Sequence, residues 1–131
     1  MPYEISFTKK VTAADEEQYI NPCCYGGDIV SNQLLPSIRK SYSDIQAGQE
    51  DWGWFIWFRS NGVALTVDIF CDDPTSGEFR IHLTSRTKGL LWSSKIVDTA
   101  ELEGLCSLVQ TQLSEWVGAP VKVERLDAKY M

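Results

Sequence analysis

The run WGWFIWFRSNGVALTVDIF, residues 52–70, decides the fold. Asn61-Gly62 lies between two stretches rich in β-branched and aromatic residues, and Asn-Gly in that setting predicts a two-residue hairpin turn. The turn fixes the register. Phe58 faces Leu65, Ile56 faces Val67 and Trp54 faces Ile69, so one face of the hairpin is continuously apolar. Strand alternation sends Phe55, Trp57, Arg59, Thr66, Asp68 and Phe70 to the opposite face.

Downstream, Asp73 to Gly77 contains Pro74 and Gly77 and reads as a second turn. The segment that follows, Glu78 to Thr84, alternates cleanly and extends the apolar face with Phe79, Ile81 and Leu83. A three-stranded antiparallel meander results. Keeping its apolar residues together requires an even register, which pairs Asp68 with His82 and Phe70 with Arg80.

Toward the N-terminus, Tyr3, Ile5 and Phe7 alternate with Glu4, Ser6 and Thr8, the pattern of a half-buried strand. Between Val11 and Asp28 the pattern dissolves. Pro22, Gly26 and Gly27 mark a loop there, and Ala14 to Tyr19 has room for a short helical turn. Ile29, Leu34, Leu35, Ile38, Tyr42 and Ile45 recur at helical spacing, with Asp28 or Ser31 as N-cap and Gly48 as a stop. Pro36 inside that pattern predicts a break, with the regular helix running from about Pro36 to Asp44.

Leu90, Leu91 and Trp92 fall in a loop. Asp98 to Glu101 then signals the start of a helix carrying Leu102, Leu105, Cys106, Val109, Leu113, Trp116 and Val117, which Gly118 ends. Past Pro120, Val121, Val123 and Arg125 alternate with Lys122 and Glu124, as in a short edge strand. The expected architecture is α+β: an antiparallel sheet of four to five strands around a central three-stranded meander, with two helices on one face. Residues 1–131 are expected to form a single domain, since 131 residues suffice for one continuous core.

Composition narrows the function classes. The chain has 44% apolar, 11% aromatic and 23% charged residues, a globular profile. Twelve basic against 18 acidic residues give a net charge of −6 and a pI near 4.7, which opposes a phosphate backbone and argues against nucleic acid. The sequence contains neither a basic segment leading into an apolar run nor a stretch of about 18 apolar residues, so a cytoplasmic protein without membrane contact is expected.

No catalytic signature emerges. The cysteines Cys23, Cys24, Cys71 and Cys106 lack the paired spacing of zinc or redox sites, so reduced thiols and no metal or other cofactor are expected. Cys23-Cys24 reads as a loop anchored by small thiols. Ser93-Ser94-Lys95 lacks the spacing of a serine–lysine pair and reads as loop, and Gly26-Gly27 does not continue into a phosphate cradle.

The candidate site is therefore the sheet face opposite the core, where Phe55, Trp57, Asp68, Phe70, Arg80 and His82 converge. Asp68 is placed to orient the imidazole of His82, the chain's single histidine, and the aromatics are placed to wall it. Aromatics beside an arginine suit a protein partner or self-association, most simply a homodimer. A solvent-tolerant cross-strand pair covered by the N-terminal strand or the Cys23 loop is the competing structural account.

In size, acidity and its tryptophan-rich meander the chain resembles small immunity proteins of bacterial toxin systems. The resemblance is architectural and rests on no defining motif. The expected function is a small acidic noncatalytic binding or protein-interaction domain. The alternative is a small-ligand-binding protein or enzyme using the Asp68/His82 face. A flat aromatic patch favours the first, a deep pocket with convergent polar groups the second.

Overall fold

The computed structural model describes residues 2–9, 27–73, 77–88 and 94–126. The Asn61-Gly62 turn forms with both residues at positive φ, +53° and +78°. It joins strand β3 (Gly53–Ser60) to β4 (Val63–Asp73) in the register Phe58–Leu65, Ile56–Val67 and Trp54–Ile69. The sequence expectation for this hairpin holds residue by residue. β4 in turn pairs with β5 (Glu78–Lys88), placing Asp68 opposite His82 and Phe70 opposite Arg80, with a bulge between Cys71 and Asp73.

On the other side of β3 lies β2 (Gln46–Glu50), joined to it through Asp51 and Trp52. Strand β1 (Tyr3–Thr8) does not lie at an edge. It pairs with β5 on one side and with β7 (Lys122–Arg125) on the other. A short β6 (Ser94–Ile96) continues along β5 where β1 stops, pairing Arg86 with Ile96. The order is β2-β3-β4-β5-β1-β7, every pairing antiparallel, and β2 and β6 extend the expected four to five strands to seven among the described residues.

The fold is α+β, with the two described helices on one face of the sheet. Helix α1 (Gly27–Ser41) buries Val30, Leu34 and Ile38, one residue per turn. Helix α2 (Ala100–Val117) buries Leu102, Leu105, Cys106, Val109 and Leu113. Its first turn is closed by Thr99, whose hydroxyl accepts the Leu102 amide at 3.1 Å, and Gly118 in the left-handed conformation ends it. These stripes meet Ile5, Ile56, Leu65, Val67, Ile69, Ile81 and Leu83 of the sheet, all fully buried. Each such side chain contributes about 1.5–3 kcal/mol on leaving water. Ser37 Oγ donates to Gln112 Oε1 at 3.0 Å, tying the two helices together.

Three expectations need correction. Helix α1 is continuous through Pro36 rather than broken there, and it begins earlier and ends earlier than its hydrophobic spacing suggested. Pro36 sits on the exposed side, and burial of Val30, Leu34 and Ile38 on either side of it holds one helix together. Gly48 is therefore no helix stop; it belongs to β2. Ser94 and Lys95 lie in β6 rather than a loop, because β5 outruns β1 and leaves pairing groups that this segment meets; the Val97 amide adds a bond to the Ser85 carbonyl at 3.0 Å. The readings of Ala14–Tyr19, Pro22–Gly26, Pro74–Ser76 and Leu90–Ser93 lie outside the described residues. Among the described residues, no helix is long and apolar enough to cross a membrane.

Candidate functional site

Pleating places Phe55 and Trp57 of β3, Asp68 and Phe70 of β4, and Arg80 and His82 of β5 on the sheet face away from both helices. The six residues share that face but divide into two clusters. On β3 and β4, the rings of Phe55 and Trp57 stand 4.2 Å apart, and the Trp57 indole Nε1 donates to Asp68 Oδ1 at 3.0 Å. On β4 and β5, Phe70 meets His82 edge to face at 5.0 Å, and the Arg80 guanidinium lies 4.6 Å over the Phe70 ring.

The carboxylate that contacts the imidazole is Glu4, not Asp68. Glu4 stands opposite His82 across the β1–β5 pair, with Oε1 3.0 Å from His82 Nε2. Arg80 Nη1 lies 3.2 Å from the same nitrogen, while Arg80 Nε and Nη2 donate to Asp72 at 3.2 and 3.3 Å. Nε2 can serve one neighbour at a time: bare, it accepts from Arg80; protonated, it donates to Glu4. With Asp68 engaged by Trp57, the expected Asp68–His82 pair becomes a Glu4–His82–Arg80–Asp72 chain. Thr66 and Thr84 hydrogen-bond to each other through their hydroxyls.

Across the sheet one row reads Gly48, Phe55, Asp68, His82, Glu4 and Glu124. Its β2–β3 half is aromatic and its β5–β7 half charged. His82 is 5% exposed, so its ring is packed among its neighbours rather than presented to a substrate. Trp57 and Trp52, by contrast, are 36% and 39% exposed, and the Trp52 ring packs tilted against Phe70 with centroids 5.1 Å apart. Burial is the main influence on Asp68 and raises its carboxyl above the ordinary range, while the Trp57 bond and the charges of His82 and Arg86 act against it.

A cleft of about 440 Å³, open to solvent, runs along the aromatic half between Asp44, Gln46, Trp57, Arg59, Ala64 and Thr66. It does not reach His82. The N-terminal strand does not fold over the aromatics either, because β1 is built into the sheet between β5 and β7. The Cys23 loop lies outside the described residues. Among the described residues no cluster of three or more His, Cys, Asp or Glu side chains is placed to hold a metal.

Glu4, Asp72, Trp52 and Gly48 are the members of this face that sequence reasoning missed. Glu4 was legible as an outward residue of a half-buried strand; the place of that strand beside β5 was not. Comparison with protein-family models, with curated proteins and with solved structures returns no match.

Proposed function

We propose that the chain is a noncatalytic protein-binding domain whose contact surface is the sheet face away from the two described helices, centred on Trp57, Phe55, Phe70 and Arg80. The observation that carries this reading is the half-exposed tryptophan pair, Trp52 and Trp57, on a broad face whose only histidine is packed away from solvent. Aromatics and arginine are what interface centres favour, and a buried imidazole without a nucleophile beside it among the described residues is poor catalytic equipment. The test compares immobilised wild-type chain with Trp57→Ala. A protein that the wild type retains, that binds again once purified, and whose affinity falls about ten- to a hundredfold on the variant supports the reading. Equal binding to a folded Trp57→Ala chain would overturn it.

A second reading rests on the 440 Å³ cleft: a planar ligand stacked on Trp57 with its polar edge toward Arg59, Asp44 and Thr66. Quenching of tryptophan emission by a small-molecule panel, abolished by Trp57→Phe, favours this over a protein partner.

A further inference from the structure

The two ends of the sheet are built differently. At one end β7, Lys122-Val123-Glu124-Arg125, carries three charges in four residues, the usual protection of an exposed edge. At the other end β2, Gln46-Ala47-Gly48-Gln49-Glu50, has one charge, no lysine and no proline, and among the described residues nothing pairs with its outer side. Gln46, Ala47 and Glu50 are exposed.

Which backbone groups β2 presents follows from its two-residue connection to β3. Glu50 and Gly53 close that turn and form a hydrogen-bonded pair, so by alternation Gly48 and Gln46 also bond inward to β3. The Asn61-Gly62 turn gives the same parity independently: Ser60, Phe58, Ile56 and Trp54 bond toward β4, leaving Phe55 and Trp57 to bond toward β2. The N–H and C=O groups of Ala47 and Gln49 therefore point away from the sheet.

From this geometry we infer that β2 pairs edge to edge with β2 of a second copy, antiparallel about a two-fold axis at Gly48; this goes beyond the reading of the sheet face, because it uses the edge. The register is self-complementary. With Gly48 opposite itself, Ala47 faces the second copy's Gln49, so all the outward groups of both residues are satisfied in both chains. Gln46 faces the second copy's Glu50, an amide donor beside a carboxylate, and the two acidic Glu50 side chains are kept apart.

Gly48 has a further part. A Cβ there would come within 3.1 Å of the Phe55 ring, a tight contact, so glycine lets Phe55 lean across β2 without shifting. The two-fold axis brings both Phe55 rings to the Gly48 pair, each backed by Trp57. The aromatic halves of the two open faces then merge into one surface, and the charged halves lie at its outer ends. The occupant is a second copy rather than an unrelated strand because the edge matches its own sequence in this one register.

Amide exchange by NMR, combined with sedimentation from about 10 µM to 1 mM, tests the pairing; an interface this small is half-formed within that range. The expected result is a dimer in which protection of the Ala47 and Gln49 amides rises with concentration while that of Gly48 and Glu50 does not change. Ala47→Pro, which deletes one outward N–H at an edge position, weakens association by about tenfold or more. Should that variant misfold, the exchange pattern in the wild type decides alone. A wild-type monomer throughout the range overturns the inference but leaves the protein-binding reading standing. A dimer whose Ala47 and Gln49 amides still exchange freely, and which Trp57→Ala dissociates, overturns the edge pairing in favour of face-to-face association.

Discussion

At the scale of single residues, Asp68 and Gln49 are groups whose burial carries a cost. The Asp68 carboxyl binds its proton more tightly folded than unfolded, where its value is near 3.8. Acid therefore favours the folded state through this group: its penalty is fully present above the raised folded value and disappears as pH falls toward 3.8. Asp68→Asn keeps an oxygen for the Trp57 indole and loses the charge. Urea melts should show the variant more stable than the wild type at pH 7, with the gap narrowing on acidification; a gap independent of pH would falsify the assignment. Gln49 Nε2 is buried without a hydrogen-bond partner among the described residues, on the core side of β2 opposite Trp54. Gln49→Met, similar in length and without the amide, should gain about 1 kcal/mol, and a loss of stability in the same melts would mean that the amide is satisfied. The Asp68–His82 juxtaposition was legible in the sequence because two hairpin-type connections fix parity along the chain. Glu4 was not, since nothing local says which strand lies beside which when 78 residues separate them.

Among the elements, those with a strong period were readable and those fixed by their neighbours were not. The meander and α2 announce themselves through alternation, Asn-Gly and a capped apolar stripe. Strand β2 has no alternation at all; it is a strand because β3 offers it a partner and Asp51-Trp52 returns the chain. Helix α1 is the reverse case, in which packing overrides a local breaker. Proline within a helix costs about 3 kcal/mol through a lost hydrogen bond and a crowded carbonyl, here that of Asn32. Pro36 buries little in return, being exposed. Pro36→Ala should therefore raise stability by about 1–3 kcal/mol in denaturant melts, and a destabilised variant would show that the proline sets the helix direction. Strand β6 carries no signal of its own in three residues and follows from the unpaired end of β5.

For the molecule as a whole, burial on one sheet face explains the architecture, and the sequence showed that face because it alternates on every strand of the meander. Strand order was hidden, and with it the place of β1. Between β5 and β7, that strand is held by partners far along the chain: Ile5 sits beside Ile81 and Val123, and the Tyr3 hydroxyl donates to the Glu103 carboxylate at 2.7 Å. Time enters here. Of the elements described, β1 is made first yet can pair only after β5 exists, and β7 can add only after β1 has docked. Strands β2 to β5 close through short connections and are expected to form the early nucleus, because ordering a short loop costs less chain entropy than ordering a long one. Val67→Ala should then slow folding, whereas Ile5→Ala, of similar or greater equilibrium cost, should act almost wholly by speeding unfolding. Stopped-flow chevrons separate the two, and a folding limb slowed by Ile5→Ala would place β1 in the nucleus. In the interval before docking, Tyr3, Ile5 and Phe7 are an unpaired apolar strand facing an open flank of β5, so crowded nascent chains can exchange first strands, and the yield of folded protein will fall with the concentration at which it is refolded.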